Sequence, residues 1–234
     1  MAQPATAPTP FQAEVRVQQS VLTALEKRVL YWLAVRMPDR INSDHLTLLA
    51  LFAMVSVGAS YWLSRYSPVG LVLATIWLAV NWFGDSLDGT LARVRAQQRP
   101  RYGYYVDHVV DVVGVLFLFG GLGLSGYLHP AVAAILLIAY FLLSLEVYLA
   151  THSLGRFQMS FFGVGPTELR LLLAAMNAAL LLGDPPAVPG TVLTVLDVGA
   201  LAGAASLVAT FVYSAVRNTR LLYRAEPMPA RVIR

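Results

Sequence analysis

Residues 69–126 read VGLVLATIWLAVNWFGDSLDGTLARVRAQQRPRYGYYVDHVVDVVGVLFLFGGLGLSG. Two apolar runs flank a short basic link, and each run carries two aspartates where it meets that link. A helix needs about 20 mostly apolar residues to cross a hydrocarbon core of about 30 Å. Both runs reach that length. Ionisable groups inside such a span are costly and mark functional positions by default. The stretch therefore predicts an all-α integral membrane protein whose chemistry sits at one end of this helix pair.

Outward from the stretch, four more runs qualify, so six spans are predicted at 45–64, 69–92, 104–126, 130–152, 167–183 and 191–216. Turn residues separate them, among them Ser67-Pro68, Gly163 to Pro166, and Gly183-Asp184-Pro185-Pro186. Each span must be helical, because lipid offers the backbone no hydrogen-bond partner. The chain is 57% hydrophobic and 13% charged, against about 45–50% and about 25% in soluble domains. It has no cysteine, which excludes disulfides and thiolate metal sites.

Residues 1–13 read as a disordered N-terminus with no signal peptide. Residues 14–40 read as an amphipathic juxtamembrane helix: Val17, Val21, Leu25, Val29 and Leu33 recur every fourth residue. Charged Arg16, Glu26, Lys27, Arg28 and Arg36 are interspersed, which suits a helix lying on the membrane surface. Residues 41–222 then form a six-helix transmembrane catalytic domain, and 223–234 a cytoplasmic tail.

Of the 17 Lys and Arg residues, all but Arg65 fall at one membrane face if six spans alternate. That asymmetry predicts cytoplasmic termini, and a multi-pass protein of the inner or plasma membrane with its active site facing the cytoplasm. It also accounts for a pI near 9.5 as a headgroup and orientation feature, with no need for nucleic acid.

Asp85 and Asp88 are three residues apart and Asp107 and Asp111 four apart, so each pair shares a helix face. The link over 94–102 is short, and the two helices are expected to be antiparallel neighbours. Four carboxylates in one pocket repel unless cations neutralise them. Oxygen-only ligands favour a hard cation such as Mg²⁺ or Mn²⁺, and two ions held by aspartates suit in-line displacement at phosphorus. Gly89 and Ala92 leave room for a ligand near the backbone. Arg93 offers a fixed positive charge to phosphate, and Gly103 is expected to let the helices approach closely.

Together these residues are Asp85-x2-Asp88-Gly89-x2-Ala92-Arg93-x9-Gly103-x3-Asp107-x3-Asp111. The pattern resembles the signature of the CDP-alcohol phosphotransferase family, with every fixed position present. The resemblance implies that Asp85, Asp88 and Asp107 are metal ligands, that Asp111 is the general base and also touches a metal, and that Gly89 and Arg93 contact the CDP portion. It implies two divalent ions and release of CMP during phospholipid biosynthesis. The donor is then either CDP-diacylglycerol, with a small alcohol as acceptor, or a CDP-amino-alcohol, with diacylglycerol as acceptor. The family often carries Pro-Asn before Leu-Thr at its first span. Here the stretch is Ile41-Asn42-Ser43-Asp44-His45-Leu46-Thr47, without the Pro, and Ser43 or Asp44 also reads as a helix N-cap. Asp107-His108-x2-Asp111 and Gly165-Pro166-Thr167-Glu168 are similar to segments of choline and ethanolamine phosphotransferases.

Glu146, deep in the fourth span, either reads the head group or makes an interhelical hydrogen bond. Glu168 and Arg170, at the start of the fifth, either contact substrate or, for Glu168, compensate the helix dipole. His152 and Arg156 read as an interfacial face, His45 and His129 likewise, and His108 as no ligand. Asp197 reads as structural. Gly199, Gly203 and Ala204 form a small-residue face for helix packing or a homodimer contact. Two other classes place aspartates in membranes: prenyltransferases of the UbiA type, which lack Gly-x2-Ala-Arg after the first pair, and ion-coupled transporters, whose sites lie near the midplane.

Overall fold

The computed structural model describes residues 15–17, 23–154, 156–158, 165–226 and 228. The expected disordered residues 1–13 and the side chain of Arg156 lie outside them. Among the described residues seven helices follow in order: α1 (Thr23–Arg36), α2 (Ser43–Ser64), α3 (Val69–Val94), α4 (Pro100–Ser125), α5 (Pro130–Leu154), α6 (Pro166–Leu182) and α7 (Val195–Ala225). A short strand β1 (Val15–Val17) pairs in parallel with β2 (Arg156–Gln158). The protein is thus an all-α membrane protein, with a three-residue strand pair as its one ladder among the described residues.

Helices α2, α3, α4, α5 and α7 are long and apolar enough to cross a bilayer. Helix α6, the predicted fifth span, has 17 residues and reaches about 25 Å at about 1.5 Å per residue. Its centre is held by a buried polar contact: the Tyr61 hydroxyl donates to Asn177 Oδ1 at 3.0 Å, and Asn177 Nδ2 donates to Thr75 Oγ1 at 3.0 Å. One amide thereby joins α6 to both α2 and α3. Helix α7 has 31 residues, about 46 Å, and runs past the predicted end at 216. Leu48, Phe52, Ile76, Phe117, Ile138 and Leu172 are exposed, as lipid-facing positions of a membrane bundle should be.

The packing corrects one expectation. Helices α3 and α4 are joined by a short link, yet they are not among the packed pairs; α2 packs against both. Small residues explain this. A Cβ added at Gly84 of α3 would lie 2.7 Å from the Leu46 carbonyl oxygen of α2, and Gly58 and Gly121 bring α2 and α4 into backbone contact. Such positions let backbones approach closely. Gly103 was expected to do this for α3 and α4, but nothing lies within 4 Å of a Cβ added there. On α7, Ala204 is buried and a Cβ at Gly203 would meet Leu136 of α5 at 3.9 Å, whereas nothing lies within 4 Å at Gly199.

The surface helix differs too. Val15–Val17 is a strand, Val21 of the predicted stripe lies outside the described residues, and the described helix spans Thr23–Arg36. Its packed face is rotated from the predicted one. Leu30 and Ala34 are buried against Leu46, Leu87 and Leu91, with Leu33 and Met37 packed beside them, whereas Val29 is exposed. A stripe stepping by four drifts around a helix of 3.6 residues per turn; positions 26, 30, 33, 34 and 37 share one face. Tyr31, Trp32 and Val35 point outward.

Candidate active site

Helix α3 delivers Asp85 and Asp88, and α4 delivers Asp107 and Asp111, to the same end of the bundle. Carboxylate oxygens of Asp85, Asp107 and Asp111 all lie within 4.8 Å of one another. Helices α3 and α4 are not themselves a packed pair, so the three groups meet across the junction between them.

Asp88 is turned aside. A three-residue step rotates about 60° back around the helix, which aims Asp88 toward α2. Its Oδ2 accepts from Thr47 Oγ1 at 2.6 Å, its Oδ1 accepts from the Gly89 amide, and its carbonyl accepts from Ser43 Oγ at 3.0 Å. The start of α2 is therefore bolted to the turn that bears Asp88. The cap of α2 is Asn42, where Ser43 or Asp44 was expected: Asn42 Oδ1 accepts from the His45 amide at 3.0 Å, and His45 Nδ1 accepts from the Asn42 amide at 3.3 Å. This reciprocal pair satisfies two otherwise orphaned donors and leaves the Ser43 hydroxyl free for α3.

Arg170 of α6 reaches the cluster. Its Nη2 donates to Asp85 Oδ2 at 2.6 Å and its Nε to Asn81 Oδ1 at 2.8 Å. Asn81 in turn donates to the Ala50 carbonyl at 3.1 Å. One guanidinium thus offsets part of the charge of three carboxylates, while its Nη1 is buried with no protein partner.

The other expected residues sort by distance from this centre. Arg93 lies along its own helix, donating to Thr90 Oγ1 at 2.9 Å, and is the one neighbour, at 3.5 Å, that a Cβ at Gly89 would meet. Ala92 is half-buried, and its carbonyl accepts from the Gln97 amide where α3 ends. Gly103 is exposed. Glu168 Oε2 accepts from the Gly165 amide at 2.9 Å, a helix-capping role. Glu146 is buried and accepts from Asn218 of α7 at 2.7 Å, an interhelical bond. His108 Nδ1 lies 2.6 Å from the Tyr104 carbonyl, and its ring packs between Tyr104 and Tyr148. Asp197 is buried, accepting from the amides of His129 and Thr194 at 2.7 Å each, a structural role. His152 is exposed.

Beside Asp88, a cavity of about 400 Å³ is lined by Asn42, Ser43, Asp44, Gln97, Gln98 and Arg99. Arg99 pairs with Asp44 and stacks over Tyr102 at 4.1 Å. Its hydrogen bond to Asp44 raises the guanidinium above its ordinary pKa.

Sequence reading missed Asn81, Ser43 and Thr47 as neighbours of the site. Asn81 had a signal: it is a polar residue inside a span, four before Asp85 and so on its face. The hydroxyls of Ser43 and Thr47 had none, because a hydroxyl in a span commonly bonds its own helix.

A multi-pass helical membrane protein with carboxylates from two helices meeting in one cluster defines a narrow class. The family model for CDP-alcohol phosphatidyltransferases matches residues 41–214. The chain belongs to that family, and with it to the membrane transferases of phospholipid synthesis that use a CDP-alcohol substrate. The match gives no support to the prenyltransferase or transporter readings. Comparison with curated proteins gave no match.

Proposed function

We propose that the protein transfers a substituted phosphate from a CDP-linked donor to an alcohol in a metal-dependent reaction that releases CMP. The observation that carries this is the trio Asp85, Asp107 and Asp111, with carboxylate oxygens within 4.8 Å of one another. Three carboxylate oxygens this close would hold a hard divalent cation among them. Three carboxylates with no nitrogen or sulfur among them favour Mg²⁺ or Mn²⁺ over softer metals. Asp88, held by Thr47 beside the trio, would supply the remaining carboxylate toward a second ion. Bound there, the ions would offset the diphosphate charge and polarise the phosphorus.

The residues of the chain divide the remaining work. Asp111 accepts the proton of the acceptor hydroxyl as its oxygen bonds to the phosphorus distal to cytidine. The bond from that phosphorus to the CMP oxygen breaks, and CMP leaves. Arg93 takes the phosphates, and the small residues Gly89, Ala92 and Gly103 leave room for them. The polar cavity between Asn42 and Arg99 suits the nucleoside. Arg170 and Asn81 hold Asp85 in place. This end of the bundle faces the cytoplasm in this reading, which the asymmetry of the 17 basic residues across six alternating spans supports.

The test is CMP release from CDP-diacylglycerol, CDP-choline and CDP-ethanolamine, each against a panel of alcohols including diacylglycerol, with and without Mg²⁺ or Mn²⁺. Release by one donor–acceptor pair, abolished by chelator, is expected. No release from any pair would overturn the proposal, and undiminished release under chelation would remove the metals from it.

A further inference from the structure

We propose that Glu26 is a positioning residue for this site: its carboxylate ties α1 to α3 and α6 at once and thereby holds Arg170 against Asp85. Glu26 Oε1 accepts from Trp82 Nε1 at 2.8 Å, from Thr167 Oγ1 at 2.8 Å and from Ser86 Oγ at 3.4 Å. The three donors surround the catalytic elements. Trp82 and Ser86 bracket Asp85 on α3, and Thr167 stands in the first turn of α6, one turn before Arg170.

The placement has a physical reading. Glu26 is on the packed face of α1, one turn before buried Leu30 and two before buried Ala34. A polar group on such a face is costly unless it is hydrogen-bonded, and an anchor helix needs none there. None of the ion pairs among the described residues involves Glu26, so its partners are neutral donors. Helix α6 packs on α3, whereas α1 and α6 are not a packed pair. The Glu26–Thr167 bond therefore joins two helices that share little other contact, at the turn that aims Arg170. The outward face of α1, with Tyr31, Trp32 and Val35, remains available to the membrane interface.

The inference rests on the catalytic reading of Asp85, and its test separates the two. Full-length protein in lipid nanodiscs carries Glu26→Ala, Glu26→Gln, Thr167→Val or the Glu26→Ala/Thr167→Val pair. Hydrogen exchange over residues 165–174 and the kinetics of CMP release are measured for each. Glu26→Ala should speed exchange there and lower kcat about tenfold or more, the scale of a small misplacement at a reacting centre. KM for the CDP donor should change by less than about threefold. Glu26→Gln keeps an acceptor oxygen and should restore most of both. Thr167→Val should speed the same exchange and add nothing when combined with Glu26→Ala; it also carries the test if Glu26→Ala does not fold. Unchanged exchange in both single variants, or faster exchange with unaltered kcat, overturns the positioning role. A wild type that releases no CMP sinks the catalytic reading instead, and exchange then decides alone whether Glu26 holds α6.

Discussion

Asp111 and Asp88 show how one motif assigns different work to chemically identical side chains. Asp111 joins the carboxylate trio, whereas Asp88 is bonded to Thr47 and its own turn. The difference comes from helix geometry: a step of four keeps Asp107 and Asp111 nearly in line, and a step of three swings Asp88 toward α2. In the proposed mechanism Asp111 moves the proton. Asp111→Asn should lower kcat for CMP release by about 10²–10⁴-fold, the usual worth of general base catalysis, while equilibrium dialysis finds the CDP donor still bound. Near-normal turnover in that variant would remove Asp111 as the base.

At the scale of elements, ends and junctions decide more than the apolar runs do. Helix α3 stops in a Schellman arrangement, with the Gln97 amide on the Ala92 carbonyl and the Ala96 amide on that of Arg93. This puts Ala96 at φ 52°, a left-handed conformation that costs a non-glycine residue about 1–2 kcal/mol. Ala96→Gly should stabilise the protein by about 1 kcal/mol, read as a melting temperature raised by about 2–4 °C in detergent. At the junction of α2, α3 and α6, Asn177→Leu removes the partner of both Tyr61 and Thr75. It should cost about 1–3 kcal/mol, and Tyr61→Phe should add little to it. Additive losses in the melting temperature of the double variant would show that the two bonds do not act as one network.

Over the whole molecule, α2 is the spine: it packs on α3 and α4 and keeps them apart. The meeting of the α3 and α4 aspartates is thus arranged through α2 and not by direct packing of the two helices. Gly121→Val would drive a side chain into the Gly58 backbone and should cost about 3 kcal/mol or more, as severe overpacking does. Gly103→Ala meets open space and should stay within about 0.5 kcal/mol of the parent. Thermal unfolding of the two variants side by side checks the arrangement, and equal losses would refute it. The amino-acid sequence by itself determined the membrane class, the helices and the aspartate motif, because apolar length and residue spacing are local quantities. It also held the packed face of α1, at positions 26, 30, 33, 34 and 37, although a four-residue stripe hid it. Only the tertiary structure decided that α3 and α4 stand apart, that Asp88 turns to Thr47, that Arg170 meets Asp85 and that Glu26 joins three helices. Those contacts link residues tens to more than a hundred positions apart, and they depend on which small residues let which backbones touch.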